Sequence, residues 1–233
     1  MGFLDQILEV SRTHLDHPKA VGYLSKRGVP MEQARALGLG YFPEHIWPPK
    51  VAGDSEDVQR WQDWSRKGWR LKNKIVFPIT NASGMVRGLQ VRSPDPDVKD
   101  YSKFYLNQSG VDALFFGTHL AMPSIWKTRE VYLCEGLFDL PPLMRVFPNA
   151  LCTGTANVSV KQIEFLRRYV DTVCVVFDTD WGGDRFWREF QEKHGSSFDR
   201  IWRLVLPAKD PGELWERLGE EAFRQELTRR GGL

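Results

Sequence analysis

The sequence predicts an α/β chain in two parts. A mainly parallel sheet flanked by helices is expected over residues 127–233, preceded by a mixed α+β basic subdomain over residues 1–126. Three observations predict it. From residue 130 onward, short apolar runs alternate with helical patterns, the rhythm of parallel strands joined by crossover helices. Upstream, "KIVFPIT" and "MVRGLQVRS" are β-rich runs joined by "NASG", a turn signal, and read as a hairpin. The charge is also uneven. Ten basic residues between positions 60 and 106 face only four acids (Asp63, Asp95, Asp97, Asp100), a local excess of +6 in a chain of net charge +2.

Taken in order, the opening third reads as helices. Leu4, Ile7 and Leu8 fit a 3.6-residue stripe, as do Ala20, Val21 and Leu24 before Gly28. "GVPMEQARALGLGYFP" begins a short helix near Pro30 and ends it around Gly38 or Gly40. Residues 43–69, with Pro48-Pro49 and several tryptophans, read as a loop-rich segment, followed by the hairpin and by "DYSKFYLNQS", which continues the basic, aromatic β region. The second part then runs strand "EVYLCEG", helix "FDLPPLMRVF", strand "NALCTGT", helix "SVKQIEFLRRYV", strand "TVCVVFDTD", helix "GGDRFWREFQEKH", strand "RIWRLVLP" and helix "PGELWERLGEEAFRQELTRR". In the second of these helices Ser159 is placed to cap and Gln162 to complete a capping box.

The chain of 233 residues is long enough for a sizeable core, and 42% hydrophobic with 27% charged residues is ordinary for a soluble globular protein. The longest apolar runs fall far short of a membrane span, and "MGFLDQILEV" has an acid where a signal peptide has its basic start, so a cytoplasmic location is expected. Cys134, Cys152 and Cys174 are scattered in apolar surroundings without a C-x-x-C pair and read as buried, reduced thiols.

The chemistry is signalled by acids at strand ends. Glu135 and Asp139 in "CEGLFD", Asp178 and Asp180 in "FDTD" and Asp210 in "AKDPGE" each follow a predicted strand. In a parallel sheet, ligands bind beyond the carboxyl ends of the strands. Carboxylates at i and i+2 just past a strand leave on one face and are able to share a hard cation, which prefers oxygen. An open carboxylate cluster suits Mg²⁺, which keeps waters and takes up substrate phosphates.

The order of these motifs resembles a TOPRIM domain, the catalytic module shared by bacterial-type primases, topoisomerases and certain nucleases. Its hallmarks are a glutamate after the first strand and a D-x-D after a later one, here Glu135 and Asp178/Asp180. The resemblance narrows to the catalytic core of bacterial (DnaG-like) DNA primase. "CEGLFDLPPLMRVFPNALCTGTA" is similar to that family's E-G-x-x-D unit, with the G-T turn at Gly154-Thr155. Upstream, "YLSKRGVPMEQARALGLGYFP" resembles its N-terminal helices and L-G-Y motif. "RLKNKIVFPITNASGMVRGLQVRS" resembles its basic hairpin, and "SKFYLNQS" its K-Y-L-N-S segment. The likeness covers residues 17–47 and 68–229.

That resemblance implies a metal set of Glu135, Asp139, Asp178, Asp180 and Asp210 for Mg²⁺ or Mn²⁺, with Glu135, Asp178 and Asp180 catalytic. It implies Arg70, Lys72, Lys74, Arg92 and Lys103 as the track for single-stranded DNA template and nucleoside triphosphates. The implied reaction is attack of a ribose 3′-hydroxyl on an α-phosphate with release of pyrophosphate. The implied partners are a replicative helicase or a separate zinc-bearing template-recognition protein. Alternatives are a TOPRIM nuclease with water as nucleophile, or a non-catalytic nucleic-acid-binding module.

The sequence departs from the family at Asp210-Pro211-Gly212, where D-P-D is usual, and no stretch of it resembles the family's zinc-binding or helicase-binding modules, so a minimal core or a fragment of one is expected. Several residues keep two readings. Glu135 is a general base or a ligand, and Asp139 is a ligand or a helix cap. Asp184 reads as first-turn helix charge rather than a ligand. Glu213 is a possible substitute for the missing acid, and Gly182-Gly183 is either a phosphate approach or a plain turn. One of Trp47, Trp61, Trp64 and Trp69 is a candidate base-stacking residue.

Overall fold

The apolar stripe that opens the chain forms helix α1 (Phe3–Arg12), with Leu4, Ile7 and Leu8 buried. The computed structural model describes residues 3–45, 59, 71–95, 103–107, 114–154 and 157–231. Most of the segment expected to be loop-rich lies outside the described residues, together with its tryptophans, Arg70, Asp97, Asp100 and Thr155. The chain divides into two units. One comprises residues 1–25, 30–79 and 85–111, the other residues 26–29, 80–84 and 112–233.

Helices α2 (Pro18–Lys26) and α3 (Met31–Ala36) follow α1 and lead into strand β1 (Gly40–Phe42). Strands β2 (Lys74–Thr80), β3 (Val86–Arg92) and β4 (Lys103–Asn107) complete a four-stranded sheet in the order β1-β2-β3-β4. The pairs β1–β2 and β3–β4 are antiparallel, with Gly40 opposite Val76 and Gln90 opposite Tyr105. Leu4, Ile7 and Leu8 pack on Phe42, Val76, Leu89 and Val91, so α1 covers one face of this sheet. Strand β1 has no counterpart in the sequence reading, because three residues are too few to display an alternation.

The second unit has the expected alternation. Its elements are α4 (Thr118–Thr128), β5 (Glu130–Cys134), α5 (Leu140–Met144), β6 (Ala150–Cys152), α6 (Val160–Tyr169), β7 (Thr172–Val176), α7 (Trp181–His194), β8 (Arg200–Arg203) and α8 (Pro211–Gly231). The four strands lie in the order β6-β5-β7-β8 and every pairing is parallel. Such a sheet is buried on both faces, and β7 shows it: Val173, Cys174, Val175 and Val176 are all at most 1% exposed. Alternate residues Val131, Leu133, Val173 and Val175 pack with Met122, Ile125, Ile163, Leu166 and Phe190 from α4, α6 and α7. On the opposite face Tyr132 stacks on Phe147 with ring centroids 3.8 Å apart, and α5 packs against α8.

Two capping details set helix positions. Ser159 Oγ accepts from Gln162 N at 3.0 Å while the Gln162 side chain accepts from Ser159 N at 2.9 Å, the capping box the sequence predicts. Helix α8 breaks at Gly219 (φ 71°), a conformation that suits glycine. On either side of the break Arg217 donates to Pro207 O at 2.6 Å and Arg230 to Val205 O at 3.0 Å. The three cysteines are buried and free, as expected. Among the described residues, no helix is long and apolar enough to cross a membrane.

Candidate active site

In the parallel sheet the strand order reverses between β5 and β7. Their register pairs Cys134 with Val176, so the chain leaves β5 at Glu135 beside the point where it leaves β7 at Phe177 and Asp178. This is the switch point at which open α/β sheets bind ligands.

Asp139 lies deepest, 8% exposed. It does not cap α5 with its side chain. Instead Oδ2 accepts from Gly136 N at 3.0 Å and Oδ1 from Gly212 N at 3.1 Å, joining the exit of β5 to the start of α8. Burial pushes its pKa up to about 8, and the carboxylates of Asp210 and Asp178 push in the same direction, against the two amide donors. Gly212, the residue at the missing acid, sits against this carboxyl: a Cβ there would lie 3.1 Å from Asp139 Oδ1 and 3.3 Å from Asp210 Oδ1. Its N–H is one of the two donors to Asp139.

Asp178 is half-buried, and its pKa is raised chiefly by burial, with Lys209 pulling it down and Asp210 and Asp180 pushing it up. Asp180 is the N-cap of α7, its Oδ1 accepting from Gly183 N at 3.0 Å. This second role was readable in the sequence, since an aspartate just before a helical pattern is a start signal. Asp210 Oδ1 accepts from Glu213 N at 2.7 Å at the start of α8. Glu213 in turn accepts from Lys209 N at 3.0 Å, so its carboxylate braces the turn.

The turn bearing Asp178 and Asp180 is held by hydrogen bonds of Thr179 and Arg203, two residues the sequence reading did not single out. Thr179 N donates to Lys209 O at 2.8 Å, and Thr179 Oγ1 to Ala208 O at 2.7 Å. Arg203 donates to Asp178 O at 2.9 Å and to Asp184 Oδ1 at 2.6 Å. Asp184 is thus the counter-ion of Arg203 in the first turn of α7. Gly183 permits the close approach: a Cβ there would lie 1.8 Å from Asp178 O. No sequence spacing announces these braces, because each joins segments about twenty to thirty residues apart.

Of the basic residues, Lys74 is 5% exposed, and burial lowers its pKa against the pull of Asp95. Lys72 and Arg92 are partly exposed on the same sheet unit. Lys103 lies on β4 with its side chain outside the described residues, and Arg70 lies outside them altogether.

The acids are all oxygen donors, the chemistry that Mg²⁺ and Mn²⁺ accept, and an ammonium already stands beside two of them. Among the described residues, no three acids, histidines or cysteines converge into a ready metal-binding group. The donor types of Asp139, Asp178, Asp180 and Asp210 nonetheless fit a divalent ion.

Residues 132–215 match the Toprim-like family model, so the segment that presents these acids is similar to Toprim-like domains. The particular relatives are bacterial DNA primases. The chain is 24% identical over 222 residues to the DNA primase of Halalkalibacterium halodurans, covering 88% of this chain and 37% of that protein. It aligns with a DNA primase domain from Pseudomonas aeruginosa at a TM-score of 0.77 and 27% identity, covering 97% of this chain and 77% of that one. It also shares its fold with a DnaG primase catalytic domain bound to single-stranded DNA, at a TM-score of 0.72 and 19% identity over 97% of this chain and 77% of the other. The fold is similar to that of these primase structures, and the chain spans little more than a third of the length of the curated relatives it matches.

Proposed function

We propose that this chain is a primase-type nucleotidyltransferase that makes short RNA primers on single-stranded DNA from nucleoside triphosphates. The observation that carries the reading is that Asp139 and Asp210 flank Gly212 while Asp178 follows the neighbouring strand end at the switch point, in a chain similar to DNA primases over 88% of its length. The Asp139 carboxyl, its pKa pushed up first by burial and further by the carboxylates of Asp210 and Asp178, lies where added positive charge is favoured.

In this reading Asp178, Asp180 and Asp210 hold Mg²⁺ or Mn²⁺, with Asp139 and Glu135 completing the set. When bound, the ion supplies charge neutralisation at the α-phosphate and a more acidic attacking hydroxyl. The chain's own part is positioning. Arg203, Thr179 and Gly183 fix the backbone of the D-x-D turn, and the Asp139 bonds to Gly136 and Gly212 fix the relation of β5 to α8. The 3′-oxygen bonds to the α-phosphorus, the bond to the pyrophosphate oxygen breaks, and Glu135, where it is not a metal ligand, is the proposed acceptor of the hydroxyl proton. Lys72, Lys74, Arg92, Lys103 and Arg70 are proposed for the template and triphosphate track. A replicative helicase or a zinc-bearing partner would supply template choice.

The test is synthesis of a dinucleotide from labelled triphosphates on short single-stranded templates with Mg²⁺ or Mn²⁺, with and without a replicative helicase. Product is expected, and Asp178→Ala should abolish it. Absence of product under every combination would defeat the proposal, and cleavage of nucleic acid without triphosphates would replace it with the nuclease reading.

A further inference from the structure

A lysine stands where a cation belongs. The Lys209 ammonium lies 3.4 Å from Asp178 Oδ2 and 3.8 Å from Asp180 Oδ2, bridging the two acids of the D-x-D. The root of this side chain is pinned to the same turn. Lys209 O accepts from Thr179 N at 2.8 Å, Lys209 N donates to Glu213 Oε2 at 3.0 Å, and the adjoining Ala208 O accepts from Thr179 Oγ1 at 2.7 Å. The side chain itself is 54% exposed, on a flexible four-carbon stem, so the ammonium can leave while the backbone stays.

We propose that Lys209 is a tethered counter-ion of Asp178 and Asp180. It bridges the pair when no divalent ion is present, holding two like charges together at the start of α7, and it competes with a divalent ion for the same oxygens. Lys209 is therefore a positioning residue that raises the concentration of divalent ion the site requires. The nucleotidyltransferase reading supplies the identity of the competing ion, but the competition needs neither DNA nor triphosphate.

The probe is Mn²⁺ alone, titrated against the full chain and followed by electron paramagnetic resonance. One exposed and one partly exposed ion pair of this kind are together worth about a 3- to 10-fold change in affinity. Lys209→Met is expected to bind Mn²⁺ tighter by that factor, with Lys209→Gln as a second neutral variant should methionine disturb the turn. Lys209→Arg keeps the charge and should remain near wild type. Lys193→Met removes the same charge from the face of α7, where Lys193 pairs with Glu189 at 3.6 Å, and should leave Mn²⁺ affinity unchanged. Unchanged or weaker binding in both neutral Lys209 variants would overturn the proposal, as would equal tightening in Lys193→Met. A failure of primer synthesis would leave this titration unaffected, so the two readings fail separately.

Discussion

Replacing Asp139 by asparagine should remove a pH dependence that the wild-type protein carries in the absence of divalent ions. The wild-type carboxyl has its pKa pushed up to about 8 by burial and by Asp210 and Asp178, whereas in the unfolded chain it returns to about 3.9. The folded state therefore holds a proton that the unfolded state releases. Its contribution to stability is fully present below about pH 4 and is lost as the pH climbs through about 8. At about 1.4 kcal/mol per unit, the loss from pH 4 to pH 8 is on the order of 5 kcal/mol, a large fraction of a typical domain's stability.

Asparagine has no proton to lose. Its one carbonyl oxygen would accept from Gly136 N or from Gly212 N, leaving the other facing an NH₂ group at a cost of about 1–3 kcal/mol. The variant should be the weaker protein near pH 4 and the stronger one near pH 8, with the curves crossing between about pH 5 and 6. Urea unfolding followed by circular dichroism, with chelator present, measures the difference at each pH. A difference that stays constant from about pH 4 to about pH 8 would refute the assignment of a buried, proton-holding carboxyl.

Two further expectations concern the turn that carries Asp178 and Asp180. Gly183→Ala places a methyl group 1.8 Å from Asp178 O, backbone against backbone, and should lower the thermal midpoint sharply; Gly182→Ala meets only the Asp180 side chain, at 3.1 Å, and should be mild. Arg203→Met strips the hydrogen bond from Asp178 O and the partner from Asp184, and should cost about 1–3 kcal/mol in urea unfolding and weaken Mn²⁺ binding.

The elements whose signal is local were legible in the sequence. Ser159 and Gln162 cap α6 because a capping box needs only residues three apart. The acids at the ends of β5 and β7 were legible because a strand's end is visible in composition. What escaped depends on assembly or on a disguised pattern. Helix α4 carries Pro123 in its interior, which hides the helical signal and removes one backbone donor. Arg203 reads as one more residue of a strand until β8 lies beside β7 and brings it to Asp178 O. Lys209 is an ordinary surface lysine until the backbone bonds of Thr179 bring it to the aspartates.

The two arginine clips of α8 give the tail helix a duty that its distance from the acids conceals. Arg217 holds Pro207 from the near side of the Gly219 break and Arg230 holds Val205 from the far side, so the segment leading to Lys209 and Asp210 is moored at two points. The last turns of the helix thus act as a stay on the loop, much as a guy-line holds a mast it does not touch. A fusion, cleavage or charge change at Arg230 would slacken that loop from one side only, and its effect would be read at Asp210, some twenty residues away.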